Sequence, residues 1–404
     1  MNRSYIKGLL TGMAVMICIV TGIFLVCNFA FDGIGVYVGA NTHVLGENTN
    51  KTLSKLSMLK GYIGEYYMDE VDEEALTEGI YKGVFESLED PYSCYYTKEE
   101  YADLMESSSG TYCGIGATVT QDVETGAIYI VTPFEGGSAY DAGIVMGDRI
   151  TKVAGKNVTG EDLSDVVALM KGEEGTTVEV EFYIDRKKEY ETFTLERRQI
   201  EVPTVESELR DDKIGYIAVS AFEEPTDEQF IAALEDLQKQ GMKCLIIDLR
   251  NNGGVILDSV VNMLDYMLPE GSTIVSTKDK NGKGEVYKAK SKTSFELPLV
   301  VLINGNTASA SEVFSGAIKD YNMGTLVGTN SFGKGIVQKV IPLNDGTAMK
   351  LTTSKYYSPN GTNIHGTGIK PDVEVALDLD AKTDTQYKQA LQCVKQKIAQ
   401  AEKK

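Results

Sequence analysis

The sequence predicts a multidomain α/β protein that begins with a transmembrane helix. Three observations support this fold class. An uncharged apolar run lies near the N-terminus, a β-rich stretch with Gly and Asp turns occupies the middle, and strands alternate with helices towards the C-terminus. The 404 residues are enough for two or three domains, and 42% hydrophobic and 24% charged residues are typical of a globular protein.

Composition also argues against several classes of function. The net charge of -20 disfavours a nucleic-acid partner. Only two histidines occur, His43 and His365, which disfavours imidazole catalysis and a histidine-rich metal site. His365 lies in the turn-rich stretch SPNGTNIHGTGIKPD and is interpreted as part of a loop. No metal or organic cofactor is implied.

The six cysteines are interpreted as reduced, structural thiols. No CxxC pair is present, and a chain of this length needs no disulfide framework.

The first apolar run is long enough to cross a bilayer. It extends from Leu9 to Phe31 without a charge, follows Arg3 and Lys7, and precedes acidic residues. We therefore expect a single-pass cell-membrane anchor with a cytoplasmic N-terminus and an extracytoplasmic catalytic domain. The alternative is a cleaved signal peptide, which has a shorter apolar region followed by a small-residue cleavage site. Both interpretations place the rest of the chain outside the cytoplasm.

Residues 41–109 are predicted to form a helical arm. KLSMLKGYIGEYYM and EEALTEGIYKGVFESL carry apolar residues at helical spacing, and DPYSCYYTKEEYADLM indicates a turn at Pro91 before another helix. The arm is also a candidate surface for homodimer formation.

The next stretch changes to alternating apolar residues with Gly and Asp turns. GSAYDAGIVMGDRITKVAGKNV resembles a PDZ domain, and CGIGATV resembles its carboxylate-binding loop. The glycines Gly114 and Gly116 would allow backbone N–H groups around Ile115 to converge on a terminal carboxylate. A bound peptide would then add as a strand. In one departure, Lys171 precedes the G-x-x-G turn where such domains commonly carry Arg, and lysine cannot make a two-pronged contact.

The C-terminal half contains a serine at a strand-to-helix junction, in NGNTASASEVF. Such a serine is either a helix cap or a nucleophile. With histidine scarce, the base is predicted to be Lys334 in FGKGIVQ, because lysine loses its charge readily when desolvated. If IVQKV continues as a strand, Lys334 and Gln338 share a face, and Gln338 would hold the amine without adding charge.

DPYS, a PDZ-like module, DLRNNGG, ASASE and FGKGIVQ follow one another in this order along the chain, and together they resemble the carboxy-terminal processing peptidase family of serine proteases. The resemblance implies an α/β core of the crotonase/ClpP-like type, with Ser309 as nucleophile, Lys334 as general base and Gln338 as its positioning partner. Thr307 departs from the family's first serine. The family also has an acidic residue at Asp320, which we interpret as structural.

The oxyanion hole is expected to use the backbone N–H of Ala310 and that of Gly253 or Gly254. Val255 stands where the family pattern has a further glycine, so the second donor stays open. Ser311 and Glu312 are expected to support the start of the helix.

The predicted domains are residues 1–40 as cytoplasmic tip and anchor, 41–109 as arm, 110–198 as PDZ domain, 199–380 as serine protease core and 381–404 as C-terminal helix. The predicted function is a membrane-anchored serine endopeptidase that captures free carboxyl ends of proteins or peptides. One alternative is an inactive PDZ scaffold. Another, an acyl-CoA-handling enzyme, would explain neither the PDZ-like module nor the export signal.

Overall fold

The computed structural model of the protein describes residues 49–378 and 380–401. The chain divides into two compact units, residues 1–79 and 80–404. The predicted transmembrane run, Leu9–Phe31, lies outside the described residues. Within the described ranges, every helix is too short or too polar to cross a membrane.

Helix α1 (Thr49–Tyr66) belongs to the first unit, and α2 (Glu73–Glu86) runs across the boundary between the units. Both helices occur where the apolar spacing predicted them. In α1, the exposed side chains of Met58, Tyr62 and Tyr66 recur every four residues, so they form an apolar stripe on one face.

The predicted turn at Pro91 leads into a short strand, β1 (Cys94–Tyr96), which the sequence did not predict, and then into helix α3 (Lys98–Ser109). Thr97 and Glu100 start α3 with a capping box. The Glu100 N–H donates to Thr97 Oγ1 at 3.2 Å, and the Thr97 N–H donates to Glu100 Oε2 at 2.9 Å.

The PDZ-like region is built from antiparallel strands and two short helices. Its elements in chain order are β2 (Thr111–Gly114), β3 (Ala117–Gln121), β4 (Ile128–Pro133), α4 (Ser138–Asp141), β5 (Arg149–Val153), β6 (Lys156–Asn157), α5 (Leu163–Met170), β7 (Thr177–Ile184), β8 (Glu189–Glu196) and β9 (Arg198–Glu201). The main sheet has the order β3-β4-β5-β7-β8, so β3 is an edge strand. Strands β2 and β9 pair separately.

The C-terminal half contains the predicted alternation of strands and helices. Its elements are β10 (Val205–Arg210), β11 (Ile214–Val219), α6 (Thr226–Lys239), β12 (Cys244–Asp248), α7 (Leu257–Met267), β13 (Thr273–Asp279), β14 (Val286–Lys288), β15 (Leu299–Ile303), α8 (Ala310–Asp320), β16 (Gly324–Gly328), β17 (Ile336–Pro342), β18 (Ala348–Tyr357), β19 (Val373–Glu374) and α9 (Thr385–Ala401).

Six of these strands form the central sheet, in the order β10-β11-β12-β15-β16-β19, parallel except for β10. Every residue of β12 and β15 is buried, as expected for strands covered on both faces. One face packs against α6, α7 and α8, and the other packs against α9.

A second, antiparallel sheet carries part of the candidate site. Its order is β1-β18-β13-β14, and β17 also pairs with β18. The sequence did not predict this sheet, because β17 and β18 are partly exposed and carry lysines and threonines rather than a continuous apolar run.

Candidate active site

Ser309 lies at the junction between the buried strand β15 and helix α8. Its backbone φ of 56° turns the chain sharply into the helix. The residue is partly exposed, whereas its neighbours Ala308 and Ala310 are buried. The buried Tyr356 hydroxyl donates to the Ser309 carbonyl at 3.2 Å. The small residues on either side therefore let a rigid turn present the serine hydroxyl at the start of a helix.

Glu312 is the residue that joins this turn to the Lys334 loop. Its side chain is buried, with 1% exposed, and its carboxylate accepts four hydrogen bonds. The donors are the Ser309 N–H at 2.9 Å, the Lys334 N–H at 2.8 Å, the Gly333 N–H at 2.7 Å and the Ser331 hydroxyl at 2.5 Å. One carboxylate thus fixes the backbone of both the predicted nucleophile and the predicted base.

The amine of Lys334 lies over an aromatic ring. Its Nζ is 4.9 Å from the centroid of the Tyr92 ring, and Tyr92 belongs to the DPYS turn. Burial lowers the pKa of Lys334 from its ordinary value, and the nearby Lys350 ammonium lowers it further, while Asp90 and Glu312 act in the opposite direction. The net lowering favours the neutral amine that a general base requires.

Asp90 and Ser93 hold the DPYS turn in place. Ser93 Oγ donates to Asp90 at 2.6 Å and accepts the Thr352 N–H at 2.9 Å, which attaches the turn to β18. Although partial burial opposes the shift, hydrogen bonds from Ser93 and its neighbours lower the pKa of Asp90.

Gln338 lies in β17, but the expected simple alternation from Lys334 is wrong. The strand begins at Ile336, after the lysine, and a bulge falls between Val337 and Gln338. The Gln338 amide donates to Thr352 Oγ1 at 3.4 Å. Among the described residues, no hydrogen bond joins Gln338 to Lys334, although both side chains line the same cavity.

The DLRNNGG loop lies beside Ser309. A Cβ on Gly254 would lie 2.7 Å from the Ala310 nitrogen and 2.8 Å from Ser309 Cβ, so only glycine allows this approach. The Gly254 N–H donates to Asn252 Oδ1 at 2.8 Å. The described residues offer no acceptor to the N–H of Gly253. Of the two candidate donors, Gly253 is therefore the one whose N–H is not engaged.

Buried polar contacts fix the shape of this loop. Ser311 Oγ donates to the Asn252 carbonyl at 3.0 Å, which ties helix α8 to the loop. Arg250 forms an ion pair with Asp248 at 2.6 Å and another with Asp384 at 2.7 Å, just before α9. Val255, at the position of the family's further glycine, has a φ of 142°, which is strained for a β-branched residue.

A cavity of about 470 Å³ brings most of the predicted catalytic residues together. Its walls include Ser309, Ala310, Lys334, Gln338 and Gly253. Apolar side chains complete it, namely those of Leu104, Met105, Val255, Ile256, Leu257, Val313, Ile336, Val337 and Val340. A partly exposed hydroxyl, an amine with a lowered pKa and backbone N–H groups thus share an apolar cleft, which suits acyl transfer.

The predicted peptide-binding loop lies between β2 and β3. Ile115 is buried, and its carbonyl accepts the Ala139 N–H at 2.9 Å. A Cβ on Gly116 would lie 2.5 Å from Gly137 Cα, so this position also requires glycine. The Tyr112 hydroxyl accepts the Ala117 N–H at 3.0 Å, which engages one of the loop's backbone donors.

Comparison with known proteins gives the family. The model of peptidase family S41 matches residues 213–375, a PDZ-domain model matches 129–184, and the model of the activating protease CtpB N-terminal domain matches 38–100. The carboxy-terminal processing protease CtpA of Bacillus subtilis (strain 168) is 34% identical over 387 residues, which are 94% of this chain and 82% of that protein. The chain belongs to peptidase family S41.

A second relative, the carboxy-terminal processing protease CtpB of the same organism, is 33% identical over 362 residues, 85% of this chain and 75% of that protein. A solved structure of a photosystem II D1 C-terminal processing protease is 31% identical and covers 80% of this chain and 87% of that chain, with a TM-score of 0.47. The family models and the two relatives CtpA and CtpB show that this S41 peptidase is a multidomain α/β serine-type peptidase with a PDZ domain, and they confirm the family resemblance in the sequence.

Several residues of the S41 site were missed or given smaller roles from the sequence. The sequence predicts only a supporting role at the helix start for Glu312, and it predicts the DPYS segment, which contains Tyr92, only as a turn. His365 is exposed, and its backbone lies beside Gly335. The Asp320 carboxylate accepts the Asn360 N–H at 2.9 Å. The spacing of Glu312, three residues after Ser309 at a helix start, was the available signal.

Proposed function

We propose that this S41 peptidase is a membrane-anchored, extracytoplasmic endopeptidase that cleaves by a Ser309–Lys334 mechanism and captures substrates by their carboxyl ends. The observation that carries the catalytic part is the Glu312 carboxylate, which accepts backbone N–H groups of both residues. This shared anchor fixes the distance between the two backbones, as a nucleophile and base pair requires.

In the proposed reaction, the neutral amine of Lys334 takes the proton of Ser309 Oγ as that oxygen attacks the peptide carbonyl carbon. The carbon–nitrogen bond then breaks, the Lys334 ammonium returns the proton to the leaving amine, and an ester to Ser309 remains. Lys334 next takes a proton from water, the resulting hydroxide attacks the ester carbonyl carbon, and the Lys334 ammonium returns the proton to Ser309 Oγ as the ester bond breaks and the new carboxyl end is released. The lowered pKa of Lys334 supports this role, because it increases the fraction of neutral amine. We therefore expect kcat/KM to rise as the pH increases through the pKa of Lys334.

Gln338 and the loop glycines take supporting roles in this proposal. The Gln338 amide nitrogen is engaged with Thr352, which leaves the amide oxygen to orient the lysine amine. The N–H groups of Ala310 and Gly253 would stabilise the oxyanion of the tetrahedral intermediate. The free N–H of Gly253 supports its choice over Gly254.

We also propose capture of a free carboxyl end at Gly114, Ile115 and Gly116. Strand β3 follows this loop and lies at the edge of its sheet, so a peptide can add beside it as a further strand. The loop's backbone N–H groups would bind the terminal carboxylate.

The anchor and the homodimer are further parts of the proposal. The run Leu9–Phe31 and the preceding Arg3 and Lys7 support a single-pass anchor with the N-terminus in the cytoplasm. Protease digestion of intact cells should therefore remove the catalytic domain. The exposed stripe of Met58, Tyr62 and Tyr66 supports self-association of the arm, which light scattering of Tyr62→Lys would test.

The proposed activity is tested by the Ser309→Ala variant. We expect cleavage of a denatured test protein with a nonpolar carboxyl end to be abolished, while binding of a carboxyl-terminal peptide persists. Ser315→Ala is the matched control, because this serine lies on the same helix and its hydroxyl bonds the Ser311 carbonyl of that helix. Mass spectrometry of the products is the measurement. Peptide binding without cleavage by the wild type would instead identify an inactive scaffold.

A further inference from the structure

Lys350 is a second lysine in the active-site cavity, and the proposed mechanism gives it no role. It lines the cavity together with Ser309, Lys334 and Gln338. It lies on β18, where it pairs with Val340, and Thr352 pairs with Gln338. Because alternate residues of a strand share a face, Lys350 lies on the same face as Thr352, the residue that bonds Gln338.

An aromatic ring beside β18 orients the Lys350 amine. The Lys350 Nζ lies 5.2 Å from the centroid of the Tyr96 ring, and the Lys334 Nζ lies over the Tyr92 ring. Both tyrosines come from the short segment that contains β1, and β1 pairs with β18 at Cys94 and Lys350. One segment therefore supports two lysine amines that face the same cavity.

Among the described residues, neither amine is neutralised by an ion pair. In the part of the chain that the structure describes, no carboxylate lies within salt-bridge distance of Lys334 or Lys350. Two unpaired lysines in one partly apolar cavity repel each other when both are protonated. Removing the proton from the more buried amine relieves this repulsion.

Two carboxylates, those of Asp90 and Glu312, act against this effect, but each has a weaker influence on the pKa of Lys334 than Lys350 has. Asp90 is hydrogen-bonded within its own turn, and the Glu312 carboxylate accepts backbone N–H groups. Tyr92 presents a ring face, Gln338 is uncharged, and burial raises the pKa of Tyr356 well above its ordinary value, so that phenol stays neutral. Among the described residues that face Lys334, Lys350 is the remaining cation.

We propose that Lys350 is a positioning residue that acts through Lys334. Its positive charge keeps the Lys334 amine in its neutral, proton-accepting form. The inference rests on the proposed Ser309–Lys334 mechanism. An adjacent cation is a known way to activate a lysine. Lys350 itself neither attacks the substrate nor transfers a proton.

The test compares the pH dependence of kcat/KM for Lys350→Met, Lys350→Arg and the wild type, on a short peptide without charged side chains. We expect the rising limb of the Lys350→Met profile to move upward by about one pH unit, with activity recovering at alkaline pH. At a fixed pH below that limb, kcat/KM should fall about tenfold. Lys350→Arg keeps the positive charge and should leave the limb in place.

Two controls separate this role from others. Lys339→Met removes the same charge from an exposed position on β17 and should not move the limb. The rate of Ser309 modification by a small neutral fluorophosphonate should show the same shift without any peptide. If Lys350→Met does not fold, Lys350→Gln provides the same loss of charge.

Two results would overturn the inference: an unmoved limb in a folded Lys350→Met or Lys350→Gln enzyme, or a loss of activity that is equal at every pH. Failure of the underlying mechanism has a different signature. It would appear as activity of a Lys334→Arg enzyme, whose guanidinium cannot act as a base.

Discussion

At the scale of single residues, Glu312 explains how the site keeps its geometry. A buried carboxylate is costly unless it is fully hydrogen-bonded, and Glu312 has four donors. Two of these donors are the backbone N–H groups of the predicted nucleophile and base. The buried carboxylate of Glu312 therefore holds the Ser309 turn and the Lys334 loop, which are separated in the sequence, at a fixed distance from each other.

We predict that Glu312→Gln lowers kcat/KM by about a hundredfold, because small displacements of reacting groups carry penalties of that order. An amide presents an NH₂ group to donors that need an acceptor, so the free energy of unfolding should also fall by about 2 kcal/mol. Peptide kinetics and urea denaturation would measure both effects.

Glu208→Gln is the matched control, since Glu208 is exposed on the edge strand β10. Wild-type kinetics for Glu312→Gln would contradict the role given to the carboxylate. A loss of stability alone, with kcat/KM preserved, would reduce Glu312 to a structural residue.

The sequence singles out Ser309 and Lys334 as candidates because each lies in a short contiguous motif. It could not identify Tyr92 as the ring under the lysine amine, because that contact joins a turn in the arm to a loop far along the chain. The same limit applies to Gly254. Its N–H is engaged by Asn252, a detail of loop conformation that the glycine pattern does not encode.

At the scale of elements, the antiparallel sheet of β1, β13, β14, β17 and β18 is the main feature that the sequence did not predict. The buried strands β12 and β15 were recognisable as continuous apolar runs, whereas β17 and β18 carry mixed residues. The bulge at Val337 and Gln338 also breaks the alternation on which the predicted face depended. Pairing between such strands is set by tertiary context.

The loop between β2 and β3 carries a prediction of its own. The Tyr112 hydroxyl accepts the Ala117 N–H, next to the proposed carboxylate-binding loop. Tyr112→Phe removes this acceptor and frees the N–H for a ligand. We therefore expect the variant to bind a peptide with a free carboxyl end several-fold more tightly, since a charged hydrogen bond is worth about 1.5–3 kcal/mol before competing costs.

Fluorescence anisotropy in the Ser309→Ala background would measure this affinity without cleavage. An amidated peptide is the control. Its affinity should differ little between the protein with Tyr112 and the Tyr112→Phe variant. Equal affinity of the free and amidated peptides for both proteins would reject carboxylate recognition at this loop.

At the scale of the whole molecule, the candidate active-site cleft is assembled from separate parts of the chain. Leu104 and Met105 come from α3, Gly253 from the DLRNNGG loop, Ser309 from the start of α8, and Lys334 from the loop before β17. Helix α3 also contacts the PDZ domain, through the ion pair of Glu106 with Lys171. The order of the motifs predicted the domains, but only the fold shows which residues meet.

In the proposed mechanism, Ser309 is the nucleophile and Lys334 activates it. Both roles are tested by treating the wild type and Lys334→Arg with a small fluorophosphonate and locating the adduct by tandem mass spectrometry. We expect a single adduct on Ser309 in the wild type, forming faster as the pH rises, and no adduct in Lys334→Arg. An adduct on another residue, or equal labelling of Ser309 in Lys334→Arg, would contradict this mechanism.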